Sequence, residues 1–404
     1  MLSQRCLITK DVVIPRLLAQ FHAESQSTLQ PIDLTQAENH LLRDEVLEIV
    51  HRELANSFLS KARQSLAGFL NAEFVPARPL EPSHLVLTSG ASEAISILAH
   101  HLCNAGDGVL LAAPYWSGLD LALETRSQAR AVPVDIPLQD IFSLQSIQYY
   151  EQALAASSIP IRAILVTNPH NPLGQCYPEP VLEALLQFCA HHGLHYISDE
   201  VYALCSFDHI QGAEPFRSIT ALTKAKNPCP TTHAVYSLSK DFGCSGLRLV
   251  CPLLAGNPDI VMGSALIANA SVSSLTTAVV PKLLTHWKLH GYINENRRRL
   301  DKAYRSVQQF LEARGLDHVP VSAGLCVFAR LGSRGTVQEE TILLQELAKV
   351  NLKLIPGSFY HFCQTGWFRI VFSAPSWEME VALGRLRIAL DSVEEKLPGS
   401  AEQL

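Results

Sequence analysis

The sequence lacks any long run of one charge sign. Its 404 residues carry a net charge of −6, with 17% charged residues. A nucleic-acid binder needs a basic stripe to neutralise phosphates, so that class of partner is excluded. No CxxC pair and no zinc-like Cys/His spacing occurs among ten cysteines scattered from Cys6 to Cys363. Free thiols in a reducing compartment are the expectation. Histidine pairs at 100–101 and 191–192 fall on expected helix surfaces and do not make a metal site. The start, MLSQRCLITKDVVIPRLLAQ, carries Arg5, Lys10 and Asp11 too close together for an apolar signal-peptide core. The longest uncharged stretch, 260–281, holds seven Ser, Thr and Asn residues and is expected to be buried core and cleft wall, not a membrane span. No repeat or low-complexity segment is visible. What remains is a soluble, cytoplasmic chain of globular composition, 48% hydrophobic, with neither a nucleic-acid nor a membrane partner.

The middle of the chain alternates short apolar runs with helix-like stretches. HLVLTSG (84–90), GVLLAAP (108–114), RAVPVDI (130–136), RAILVTNP (162–169), LHYISDE (194–200), HAVYSLS (233–239) and LRLVCPLLAG (247–256) are the strand-like runs. Val-, Ile- and Leu-rich strands separated by helices predict an α/β fold. Its mostly parallel seven-stranded sheet is covered by helices on both faces, a three-layer αβα domain. A polar, periodic stretch over 283–314 predicts a long helix leading to a smaller α+β domain. The expected divisions are 1–40 as an arm or part of the small domain, 41–285 as the large domain and 286–404 as the small domain.

Ligands in such sheets bind beyond the carboxyl ends of the strands, and polar or aromatic groups stand at each of those ends. Ser89-Gly90-Ala91-Ser92-Glu93 follows the first strand, and Pro114-Tyr115-Trp116 follows the second. Asn168-Pro169-His170-Asn171-Pro172, Asp199-Glu200-Val201-Tyr202 and Ser237-Leu238-Ser239-Lys240 follow three others. Each group alone has an ordinary role: Asn-Pro is a turn, Ser before a helix is a cap, and a lone Lys is a surface cation. Together they describe a pocket for a phosphorylated aromatic aldehyde. Lys240 can form a Schiff base if its free amine is available. Asp199 can pair with a protonated ring nitrogen and make the ring an electron sink. Tyr202 and Asn171 can hydrogen-bond a ring oxygen, and Trp116 can stack on the ring. The N–H groups of Ala91 and Ser92 at a helix start can hold the phosphate, with Arg248 and Ser237 completing its charge balance.

These residues resemble the fold-type I pyridoxal-phosphate enzymes, the class I/II aminotransferase superfamily. TNPHNPLG resembles its Asn-Pro-x-Asn-Pro-x-Gly signature, SDEVY its Asp-Glu-x-Tyr, and SLSKDFGCSGLRLV its Ser-x-Ser-Lys segment ending in Gly-x-Arg. DLTQAENHLL (33–42), APYWSGLDLAL and GWFRIVFSAPSWEMEVALGRL are similar to the 1-aminocyclopropane-1-carboxylate (ACC) synthase-like branch. The resemblance runs from about residue 33 to 395. It implies pyridoxal 5'-phosphate (PLP) as cofactor, Lys240 as its covalent partner and the base for the substrate α-proton, and a homodimer. Asp199, Tyr202, Asn171, Trp116, Ala91, Ser92, Ser237 and Arg248 would hold PLP. Arg369 would clamp the substrate α-carboxylate, and Glu38 would lie near the substrate amino group.

The chain departs from that family at one place. The family's Tyr-x-Gly-type segment, whose tyrosine reaches the partner subunit's cofactor phosphate, is replaced by NSFLSKARQ (56–64). Either the cleft is shaped differently, which opens room for a bulkier substrate than ACC formation uses, or cofactor binding is impaired. The resemblance as a whole implies an aminotransferase on an α-amino acid in a biosynthetic, secondary-metabolite setting. A carbon–sulfur lyase acting on a cysteine conjugate and a catalytically impaired homologue with a binding role are the alternatives.

Overall fold

The computed structural model describes residues 32–33, 59–207, 212–222, 231–248, 251–255, 257–268 and 271–397. Strand β1 is Ile32–Asp33. The central sheet is built from β2 (Leu85–Thr88), β3 (Gly108–Ala113), β4 (Arg130–Asp135), β5 (Ile161–Thr167), β6 (His195–Asp199), β7 (Thr232–Val235) and β8 (Cys251–Ala255). Its order is β2-β8-β7-β6-β5-β3-β4. Only β8 runs against its neighbours. The expected strand over 247–256 is shorter, because Ser245–Leu247 forms a 3-10 turn before β8 begins.

Side-chain alternation assigns the two faces. Val109, Leu111, Ala163, Leu165, Ile197 and Val235 pack on one side against helices α2 (Ala91–Leu102) and α3 (Gly118–Ser127). Leu110, Ala112, Ile164, Val166, Tyr196 and Ala234 point the other way, onto α1 (Leu59–Phe74), α4 (Ser146–Ala156) and α5 (Glu179–His192). A period of two with both sets apolar is what a strand buried on both faces requires. Each fully buried Leu, Ile or Val contributes about 1.5–3 kcal/mol, so the two layers together outweigh any local propensity.

The remaining helices are α6 (Ile219–Leu222), α7 (Leu238–Asp241), α8 (Pro258–Ala268), α9 (Ser274–Leu284), α10 (Leu289–Ala313), α11 (Val337–Lys349) and α12 (Ser376–Lys396). The stretch over 260–281 is corrected here. Ile260, Ser264 and Ala268 are buried, but Met262 (70% exposed), Leu266 (76%) and Leu275 (56%) face outward. Helix α8 is apolar nearly all round, and only one of its faces meets the sheet.

Helix α10 joins two cores. Leu289 and Ile293 pack with the large sheet, whereas Leu300, Tyr304, Val307 and Leu311 pack in a second core. That core covers the antiparallel sheet β11 (Ile355–Pro356)-β12 (Trp367–Val371)-β9 (Cys326–Arg330) with α11 and α12. Strand β1 pairs in parallel with β10 (Leu352–Lys353). No helix among the described residues is long and apolar enough to cross a membrane.

Candidate active site

The strand ends do meet. Sheet order reverses between β3 and β5, the kind of crevice where α/β sheets bind ligands, and Asp199 closes neighbouring β6. Asp199 is 5% exposed. Its Oδ2 accepts a hydrogen bond from Thr167 Oγ1 at 3.5 Å. Its Oδ1 is buried and has no hydrogen-bond partner among the described residues. Burial pushes its pKa up to about 7, opposed by the Val201 N–H, the Thr167 hydroxyl and the charge of Lys240. Burial pushes the Cys205 and Cys326 thiols up, and the charge of Lys240, half-buried on α7, opposes both shifts. Its ammonium therefore lies within Coulombic reach of β6, the turn after it and β9 together.

The second half of the site crosses between the two sheets. Arg369, on β12 and 2% exposed, donates from Nη1 to Asn171 Oδ1 at 3.2 Å. The Asn171 amide donates to the Tyr202 hydroxyl at 3.4 Å. The Arg369 guanidinium lies 5.2 Å from the Tyr360 ring centroid, a cation–π arrangement. Arg369 and Trp367 project from the same face of β12, and Phe328 stands opposite Arg369 in the register. The cation thus sits in a wall of aromatic rings, where Phe328 and Trp367 stack at 5.2 Å.

TNPHNPLG separates into a scaffold and a site residue. Asn168 Oδ1 accepts from the Tyr177 N–H at 3.0 Å, and its amide donates to the Arg217 carbonyl at 3.2 Å. Gly174 has φ +65°, and a Cβ there would lie 2.7 Å from Val321. Its carbonyl accepts from the Ser322 and Ala323 N–H groups. These bonds hold the loop against the second core and leave Asn171 to face Tyr202 and Arg369.

The proposed phosphate end is a cradle at the start of α2. Gly90 has φ +127°, and a Cβ on it would lie 2.0 Å from an Arg248 nitrogen. Any other residue there would displace the guanidinium from the helix start. Ser237 caps α7 by accepting from the Ser239 N–H at 3.2 Å. Trp116 is 39% exposed, and its ring lies over Gly118. A cavity of about 680 Å³ opens beside Ser89, Ser92, Glu93, Ser96, Trp116 and Arg126. Glu38 lies outside the described residues, as do residues 56–58 of the substituted segment; residues 59–64 begin α1.

The residues present fit PLP. An orphaned, buried carboxylate oxygen suits a ring N–H, and a glycine-floored helix start under an arginine suits a phosphate. Residues that sequence reasoning passed over are Thr167, which holds Asp199; Glu93, which accepts from the Ser89 N–H and hydroxyl at 2.7 and 2.6 Å; and Tyr360 beneath Arg369. Glu93 had a signal, since an acidic residue in the first turn marks a helix start. Thr167 and Tyr360 had none, because only the fold sets their neighbours.

The cradle predicts that Gly90→Ala lowers PLP affinity about tenfold or more, read by titrating the apoprotein with PLP. The Asp199 environment sets a pH dependence. Its pKa is raised by folding, so stability is lost as pH climbs from the ordinary Asp value toward about 7. Asp199→Asn should therefore raise the apoprotein Tm by a few degrees at pH 8, and the gain should fade at pH 5. An equal gain at both pH values would contradict a buried, raised Asp199.

Known proteins are similar to this chain in sequence and in fold. The family model for aminotransferase class I and II matches residues 22–386. The probable aminotransferase sirI of Leptosphaeria maculans is 51% identical, with 98% of this chain and 100% of that protein covered. 1-Aminocyclopropane-1-carboxylate synthase 7 of Arabidopsis thaliana is 31% identical over 82% of this chain and 76% of its own length. Among solved structures, the aromatic aminotransferase of Pyrococcus horikoshii superposes with a TM-score of 0.78 at 20% identity, covering 95% of this chain and 99% of that one. The aspartate aminotransferase of Thermus thermophilus with maleate gives 0.75 at 18%, covering 96% and 97%. These two show the fold alone. With the family model spanning most of its length, the chain belongs to the class I and II aminotransferases, PLP-dependent enzymes of the fold-type I superfamily with an ACC synthase-like affinity.

Proposed function

We propose that the chain transaminates an α-amino acid, with Lys240 as the residue that joins PLP and carries the α-proton. One observation carries this reading: the unpartnered, fully desolvated Asp199 Oδ1, in the field of Lys240. A carboxylate costs several kcal/mol to strand in this way, and a ring N–H would relieve that cost.

Bound PLP would supply an aldehyde and an electron-withdrawing ring. The chain supplies the rest. Asp199 would hold the ring nitrogen's proton. The Asn171 amide and Tyr202 hydroxyl would bind the ring oxygen side, and Trp116 would cover a ring face. Ala91 and Ser92 N–H groups, Ser237 and Arg248 would bind the phosphate. Arg369 would hold the substrate α-carboxylate with its planar fork, and Glu38 would meet the substrate amino group. Because Arg369 bonds to Asn171, the carboxylate clamp and the ring contact are mechanically one unit. An amino acid held there presents its α-hydrogen to the Lys240 amine, which removes it as general base and returns it.

We also infer that two copies pair. The outward Met262 and Leu266 side chains, one turn apart on α8, support this, as large apolar side chains left in solvent on one helix face mark an interface. Sedimentation at micromolar concentration should give twice the chain mass; a monomer would remove this inference.

Lys240→Ala should abolish the visible absorbance of bound cofactor and lower kcat about a thousandfold or more. In the wild type, amino-group exchange should require an added keto acid and show ping-pong kinetics. Release of ammonia and a pyruvate-type product from a cysteine conjugate, with no keto acid needed, would instead identify a carbon–sulfur lyase. A wild-type protein without cofactor absorbance would remove both.

A further inference from the structure

Lys240 sits on α7, a helix of four residues. One turn cannot hold itself, because nucleating a helix is unfavourable and only tertiary contacts make so short a piece persist. Something outside the turn must therefore aim Lys240 at Asp199. The neighbouring residue, Asp241, is 2% exposed and reaches three separate elements. Its Oδ1 accepts from the Cys205 thiol at 3.0 Å and from the Leu204 N–H at 3.3 Å. Its Oδ2 accepts from the Tyr236 hydroxyl at 2.8 Å. Its own carbonyl accepts from the Asn296 amide on α10 at 3.2 Å. The adjacent Arg297 donates from Nε to the Leu204 carbonyl at 3.3 Å. Leu204 and Cys205 end the turn that starts from Asp199 and carries Tyr202, and Tyr236 follows β7.

We propose that Asp241 is a positioning residue: its buried carboxylate ties the Lys240 turn to the Tyr202 turn and to the end of β7, and so fixes the aim of the Lys240 amine. Successive side chains on a helix leave the axis about 100° apart. Pinning Asp241 into the core therefore fixes the direction in which Lys240 emerges. Cys205 and Tyr236 are both fully buried, so water cannot replace either donor, and the three bonds to the carboxylate stand or fall as a set.

This inference rests on Lys240 being the lysine that joins PLP, and the test separates the two. The readouts are the rate at which PLP forms a borohydride-trapped adduct with the protein, the PLP dissociation constant and the apoprotein Tm. Asp241→Ala should slow adduct formation about tenfold or more, since misplacing a reacting group by an ångström has effects of that order, while PLP affinity at the phosphate end changes far less. Asp241→Asn should restore the rate: its amide oxygen can accept from Leu204 and Cys205, and its NH2 can donate to the Tyr236 oxygen. The double variant Tyr236→Phe/Cys205→Ala keeps Asp241 but removes two donors, and should fall between the two. Adduct formation at the wild-type rate in Asp241→Ala overturns the proposal, as does a loss that only follows Tm or PLP affinity. If Asp241→Ala does not fold, the double variant decides, and a wild-type rate there overturns it equally. Lys240→Ala is the control: a trapped adduct formed there at wild-type yield would refute the Lys240 assignment itself, whatever the Asp241 variants do.

Discussion

Desolvation of one carboxylate is the constraint on which the site depends. Asp199 ends a strand covered on both faces, so its charge is removed from water by the same packing that makes the sheet. The Thr167 hydroxyl and Val201 N–H satisfy it only in part. A group held in that state strongly favours whatever partner completes it. Under the proposed reading, the ring N–H of PLP would complete the buried oxygen that has no partner among the described residues. Glu200, the next residue, shows the contrast. It is equally buried, but its carboxylate accepts from Ser198, Ser218 and the Ile219 N–H. Glu200 is a finished core contact, whereas Asp199 is an unfinished one.

The second core acts on the site through a few short links. Arg369 belongs to the small antiparallel sheet yet bonds to Asn171 of the large one. The Tyr115 N–H donates to the Tyr360 carbonyl at 2.9 Å. Asp120 accepts from the Tyr115 hydroxyl at 2.8 Å and pairs with His361 at 2.8 Å. These bonds place the ring under Arg369 and the loop carrying Trp116 in one rigid block. A substrate carboxylate on Arg369 would thus be registered against the Asn171 contact and the Trp116 loop.

Much of the candidate site was legible in the sequence as residue types at strand ends. Lys240, Asp199, Asn171 and Tyr202 lie just beyond apolar strand-like runs, and a parallel sheet gathers such ends at one edge; Arg248 precedes β8, whose antiparallel course brings its start to that same edge. Thr167 was not legible, because a Thr at a strand end has no distinguishing chemistry until Asp199 lies beside it. Asp241 was hidden by its more reactive neighbour, and its partners are 5, 36 and 37 residues away. The stretch over 260–281 was misread because an uncharged sequence shows that a segment is apolar, but not which of its faces has something to pack against.

The sequence by itself determined the order of strands and helices, the covering of the sheet on both faces and the chemical types at each strand end. All of these follow from local periodicity and residue type. Only the tertiary structure decided that Asp199 Oδ1 is left unpaired, that Arg369 crosses to Asn171, that Arg248 lies against Gly90 and that Asp241 anchors the Lys240 turn. Those are contacts between residues far apart in the chain. Their distances depend on how whole layers pack, and no short stretch of sequence carries that information.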